Sequence, residues 1–195
     1  MFALILGLVI FLGLHSTRIV AEGARTRFIA ERGEGAWKGL YSVLSVIGLV
    51  LIVWGYGIAR DEAEQLFVEP GWARGLQFLA MPVALFLVVA SQFPAGYAKR
   101  ALGHPMLWGV GVWSLGHLMA NGDTASVLLF GAFLVWGAFD LVSCYRHPRA
   151  NPHAQGEGFG TRRWPDVASA AIAIVLTWAF MAFLHEWLFG VALIG

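Results

Sequence analysis

Long stretches without one charged side chain restrict this chain more than any other feature. Residues 39–59, 75–95 and 105–122 contain no Asp, Glu, Lys or Arg, and similar runs cover 2–17, 124–143 and 167–193. A helix needs about 20 mostly apolar residues to cross a bilayer, and a run of that length suits lipid better than a soluble core. Charged residues make up 13% of the 195, against roughly a quarter in a soluble domain. The expected fold is all-α: a polytopic membrane helix bundle of about six transmembrane helices in a single domain, 1–195. Pro82 and the many glycines inside the runs agree with this, since membrane helices carry both more often than soluble ones.

Lys and Arg orient the bundle. Eleven of the thirteen fall in the loops after the first, third and fifth runs, leaving Arg60 and Arg74 on the other side. Both termini are therefore expected on the outer face. The opening run, Met1–Leu14, reads as a retained span and not as a signal peptide, because it lacks a basic start and Arg18 occupies the cleavage region. A net charge of +1 marks no nucleic-acid binder. Cys144 stands alone, which excludes an internal disulfide and a cysteine metal cluster.

Histidines inside apolar runs are the candidate chemistry. His104 and His117 are 13 residues apart, about 20 Å along a helix and some 220° around it, and cannot share one metal ion. His104 precedes Pro105 and reads as an interfacial cap. His117 lies within a run, with Trp113, Ser114, Ala120 and Asn121 as helical neighbours and Gly109 two turns away. Such a buried imidazole is either a helix–helix hydrogen-bonding group or a cofactor ligand; the small residues leave room for something flat and Trp113 offers a wall. His15 ends the first run one turn before Arg18, and reads as a membrane exit or as an axial ligand with a cation nearby. His185 and Glu186 interrupt the last run as an interhelical polar pair or a metal site. His147 and His153 read as solvated loop residues. Asp140 lies level with His15, either accepting that imidazole's N–H and so fixing its ring or pairing with Arg18.

Three stretches carry a family resemblance: "LHSTR" after the first run, "GLYSVLSVIGLVLIVWGYG" at 39–57, and "HPMLWGVGVWSLGHLMANGDTASVLLFG" at 104–131. They resemble the NnrU family of bacterial membrane proteins, which is linked to denitrification and nitric oxide metabolism and related to 15-cis-zeta-carotene isomerase. The resemblance implies haem b held by His15 and His117, with Arg18, Trp113 and Asn121 around it and Asp140 behind. It implies a hydrophobic polyene ligand or a haem-linked step around nitric oxide, in the bacterial inner membrane. Ser114 stands where the isomerase has a cysteine three residues before its second histidine, so thiolate ligand switching is not implied here. By count of residues, His15 and His117 differ in depth by about a dozen Å, which makes His185 the alternative partner of His117.

Two other functions fit the residues. A non-catalytic accessory protein for a respiratory membrane complex would use the same polar groups as packing contacts. A membrane methyltransferase also carries "HP" before a Gly-rich apolar helix, but the later Glu-containing aromatic pattern of such enzymes is missing after residue 150.

Overall fold

The structure is a computed structural model that describes residues 1–146, 163–190 and 192–193; His147, His153 and most of the 144–165 loop lie outside the described residues. Every regular element in it is helical. The order is α1 (Phe2–His15), α2 (Thr17–Val20), α3 (Glu22–Arg32), α4 (Glu34–Asp61), α5 (Ala73–Ala90), α6 (Tyr97–Leu102), α7 (Pro105–Ala120), α8 (Thr124–Arg146), α9 (Trp164–Ala179), a π-helical turn (Phe180–Leu184) and α10 (His185–Phe189). Without water to bond free backbone groups, an apolar chain satisfies its N–H and C=O groups internally, and only helices or closed barrels do that.

Four helices have the length and apolar character to cross a membrane: α4, α5, α8 and the continuous Trp164–Phe189 segment. The expectation of six is met in part. At 14 and 16 residues, α1 and α7 reach about 21 and 24 Å, short of the roughly 30 Å of hydrocarbon.

Glycine sets the closest packing. α1 runs antiparallel to α4: a Cβ on Gly55 would meet the backbone of Ala3 and Leu4, one on Gly7 would lie 2.7 Å from the Ile52 nitrogen, and one on Gly48 would lie 3.0 Å from Phe11. Small residues allow such approach where no hydrophobic force drives helices together. α7 uses Gly109 similarly, its missing side chain filled by Ala84, Leu87 and Val88 of α5. Gly109 therefore makes room for α5. α8 packs against α7 and also touches α1 and α4, and α9 packs on α5.

Helix ends gather at two poles. At one, the loop after α4 clasps the turn before α8: the Leu66 amide donates to the Gly122 carbonyl at 2.8 Å, and the Thr124 amide donates to that of Glu64 at 2.9 Å. Arg60 Nη1 also reaches the Phe189 carbonyl there, at 2.9 Å. "NGD" proves to be joinery. Asn121 Nδ2 donates to the His117 carbonyl at 2.8 Å, Gly122 lies against the Phe67 carbonyl with no space for a Cβ, and Asp123 Oδ1 accepts the Ser126 amide at 2.9 Å, capping α8. At the opposite pole, Asp166 accepts the amides of Tyr97 and Ala98 at 2.6 and 3.0 Å, tying the start of α9 to α6.

Candidate functional site

α8 carries an aromatic face that joins the two poles from inside. Phe130, Phe133 and Trp136 recur at three-residue spacing, which keeps them on one side of a helix. Trp113 of α7 meets Phe130 and Phe133 edge-on, with ring centres 5.1 and 5.3 Å apart. Phe11 of α1 meets Phe133 at 5.9 Å. A histidine sits at each end of this seam.

His117 is 9% exposed. It stacks on Phe130 at 4.6 Å and lies tilted against Trp113 at 5.5 Å. Its Nδ1 is 3.0 Å from the Trp113 carbonyl oxygen. A carbonyl only accepts, so Nδ1 carries the proton and Nε2 holds a lone pair. Nε2 has no hydrogen-bond partner among the described residues. His185 lies tilted against Phe189 at 5.3 Å, and Phe189 in turn meets Tyr56 at 6.1 Å. The π-helical turn immediately before His185 adds a residue to the helical repeat and rotates α10 relative to α9; such turns are frequent at functional sites.

His15 has the same local arrangement at the other pole. Nδ1 donates to the Phe11 carbonyl at 2.7 Å, the ring stacks on Phe11 at 4.2 Å, and Tyr41 and Trp136 approach at 5.2 and 6.0 Å. Asp140 does not fix it. That carboxylate, 8% exposed, instead accepts from Arg18 Nη2 at 3.2 Å. The same Arg18 nitrogen donates to Cys144 Sγ at 2.9 Å, and the thiol lies 3.7 Å from Asp140 Oδ1. Of the two readings of Asp140, the ion pair is the one present. His104 caps α7, its ring edge-on to Tyr145 at 5.5 Å.

The two seam histidines make no ring contact with one another. One touches Phe130 and the other Trp136, six residues on, which is about 9 Å along α8, and Phe133 packs between Phe11 and Trp113. Two imidazoles on one iron need nitrogens roughly 4 Å apart, at about 2 Å per bond. His117 fits a metal-bound imidazole by itself, its tautomer held as such ligands usually are. No group of three or more His, Cys, Asp and Glu that could hold a metal ion occurs among the described residues.

Sequence reasoning passed over Phe130, Phe133, Trp136, Tyr41 and Ser45. The Tyr41–Ser45–Gly48–Ile52 stripe on α4, spaced three and four residues, was the available signal.

Long apolar helices, small-residue packing and polar groups turned inward define a helical integral membrane protein. The chain belongs to the NnrU protein family, whose model matches residues 3–193. No curated protein and no solved structure matches it significantly.

Proposed function

We propose that this chain is a haem b protein of the bacterial inner membrane that handles a hydrophobic polyene ligand or serves a haem-linked step around nitric oxide. The observation that carries the reading is His117, buried in the bundle with Nδ1–H committed to Trp113 and Nε2 left as a lone pair. His117 would hold the iron together with a second imidazole, His15 as the family resemblance implies or His185 as the alternative. Bound haem supplies an iron that changes oxidation state and exchanges an axial ligand. Trp113 and Phe130 orient the ligating ring and exclude water. NnrU membership supports the link to nitric oxide metabolism.

We propose also that α1 and α7 cross the membrane, making six spans with both termini outside. The two poles support this: the helix ends alternate between them as six crossings require, and Arg18, Lys99, Arg100 and Arg146 share one pole while Arg60 lies at the other.

Absorption spectra of protein purified after haem-replete expression, oxidised and then reduced, test the reading. A Soret band is expected, reduced at least tenfold in His117→Ala. Colourless wild-type protein overturns it. The accessory-protein reading has one observation in its favour, the outward apolar side of α9, where Ile174, Val175 and Trp178 are all at least 60% exposed. Co-purification of a respiratory complex with colourless protein would select it.

A further inference from the structure

Among the described residues, the loop joining α4 to α5 carries an apolar tip that no other part of the chain covers. α4 packs on α8, α8 on α7 and α7 on α5, so residues 62–72 pass over the α7–α8 turn at the end of the bundle. The amides of Leu66 and Phe67 both donate to the Gly122 carbonyl, at 2.8 and 3.3 Å, and the Thr124 amide donates to the Glu64 carbonyl at 2.9 Å. Gln65 Nε2 donates to the Phe67 carbonyl at 2.7 Å and to Glu69 Oε1 at 3.3 Å. A loop fixed by this many bonds loses little conformational freedom when something binds it.

The side chains it presents need a reason. Leu66, Phe67 and Val68 are consecutive and all exposed, Val68 at 86%. Asp61, Glu62 and Glu64, just before them, are exposed as well. Carboxylates are expensive in hydrocarbon, and the loop lies over the ends of helices and not beside them, so this tip faces water and not acyl chains. An apolar patch in water with a polar rim marks an interaction site, and an apolar centre inside a polar rim is the usual layout of a protein interface.

Charge identifies the partner. The guanidinium nearest before the carboxylates, Arg60, is engaged by the Phe189 carbonyl, and the helix it holds there adds the exposed Glu186. The basic residues Arg18, Lys99, Arg100 and Arg146 lie at the opposite pole. A positively charged protein is therefore drawn to the Asp123 pole and turned away from the other.

We infer that the tip of this loop, with Leu66, Phe67 and Val68 inside a rim of Asp61, Glu62 and Glu64, docks a soluble protein whose contact surface has an apolar centre and a basic rim. One loop tip is smaller than the interface of a stable complex, so the encounter is transient. The surface is independent of the proposed haem site.

Site-specific photo-crosslinking of the full chain in its native membrane tests this. p-Benzoylphenylalanine placed at position 68 replaces a side chain that points outward, so the melting temperature should not change. Irradiation is expected to join it to a soluble protein of net positive charge, identified by mass spectrometry. The yield should fall at least about fivefold when Glu62→Lys and Glu64→Lys are combined, because reversed charges repel the basic rim. It should fall comparably in Leu66→Ser, which removes part of the apolar centre and leaves the backbone bonds of the loop in place. Adducts with lipid alone, with an integral membrane protein or with an acidic protein overturn the inference, as does the absence of any adduct. A yield unchanged by the charge reversal or by Leu66→Ser overturns it equally. Soret absorbance plays no part in the outcome, so failure of the haem reading leaves this result intact.

Discussion

The two poles of α8 handle buried polarity in opposite ways. At the Arg18 pole the charge is matched inside the protein, with a guanidinium, a carboxylate and a thiol bonded in a triangle. At the Asp123 pole no ion pair is needed, because backbone and hydroxyl groups complete the bonding. Tyr56 Oη lies 2.9 Å from Ser126 Oγ, and Asp123 takes both the amide and the hydroxyl of Ser126. The first arrangement depends on two residues that are 122 positions apart; the second is mostly local capping, sealed by one loop from α4. A membrane protein with few charges either pairs each one across helices or keeps it in a turn where the backbone completes it.

The seal at the Asp123 pole is where the largest effect is expected. Gly122→Val would drive a branched side chain into the Phe67 carbonyl and detach the 62–72 loop, costing about 3 kcal/mol. Thermal unfolding in detergent should show it, and a loss no greater than at the exposed Gly71 would dissolve the contrast. Next comes the Arg18 pole. Asp140→Asn leaves a partly exposed guanidinium without its counter-charge and should cost about 2 kcal/mol, below the 3–5 of a fully buried pair. The double replacement Arg18→Leu with Asp140→Leu should recover most of this, since the pair offsets its own desolvation. If the double variant is the worse of the two, the pair stabilises the bundle in its own right.

The smallest effect is one of pH. Glu69 accepts from its own backbone amide and from that of Gly122, and these bonds hold its carboxyl below the ordinary value. A lowered value in the folded state means stability that is present above the unfolded carboxylate range, near pH 4.5, and lost as pH falls through the folded value. Melting temperature should therefore drop on acidification below about pH 4.5, and drop less in Glu69→Gln. Identical acid profiles would remove Glu69 from the seal.

Much of this was open to reading from residues alone, and the rest was closed for definite reasons. The apolar runs located the long helices because hydrophobic length is a local property. The ion pair of Asp140 was readable as one of two options, since an intramembrane carboxylate needs a cation and Arg18 was level with it. Sequence reasoning did not foresee that Asn121 caps α7 or that Gly109 admits α5. Side-chain types cannot distinguish those roles without knowing which helix lies opposite.

From its sequence by itself, this protein's helical nature, its association with lipid and the asymmetry of its basic residues were determined, because each follows from the free energy of placing a side chain in hydrocarbon or in water. Only the tertiary structure decided that His15 and His117 sit at separate ends of an aromatic seam, and that Arg18 reaches Asp140 across the bundle. Those are matters of helix register and crossing, set jointly by glycine contacts between helices far apart in the chain.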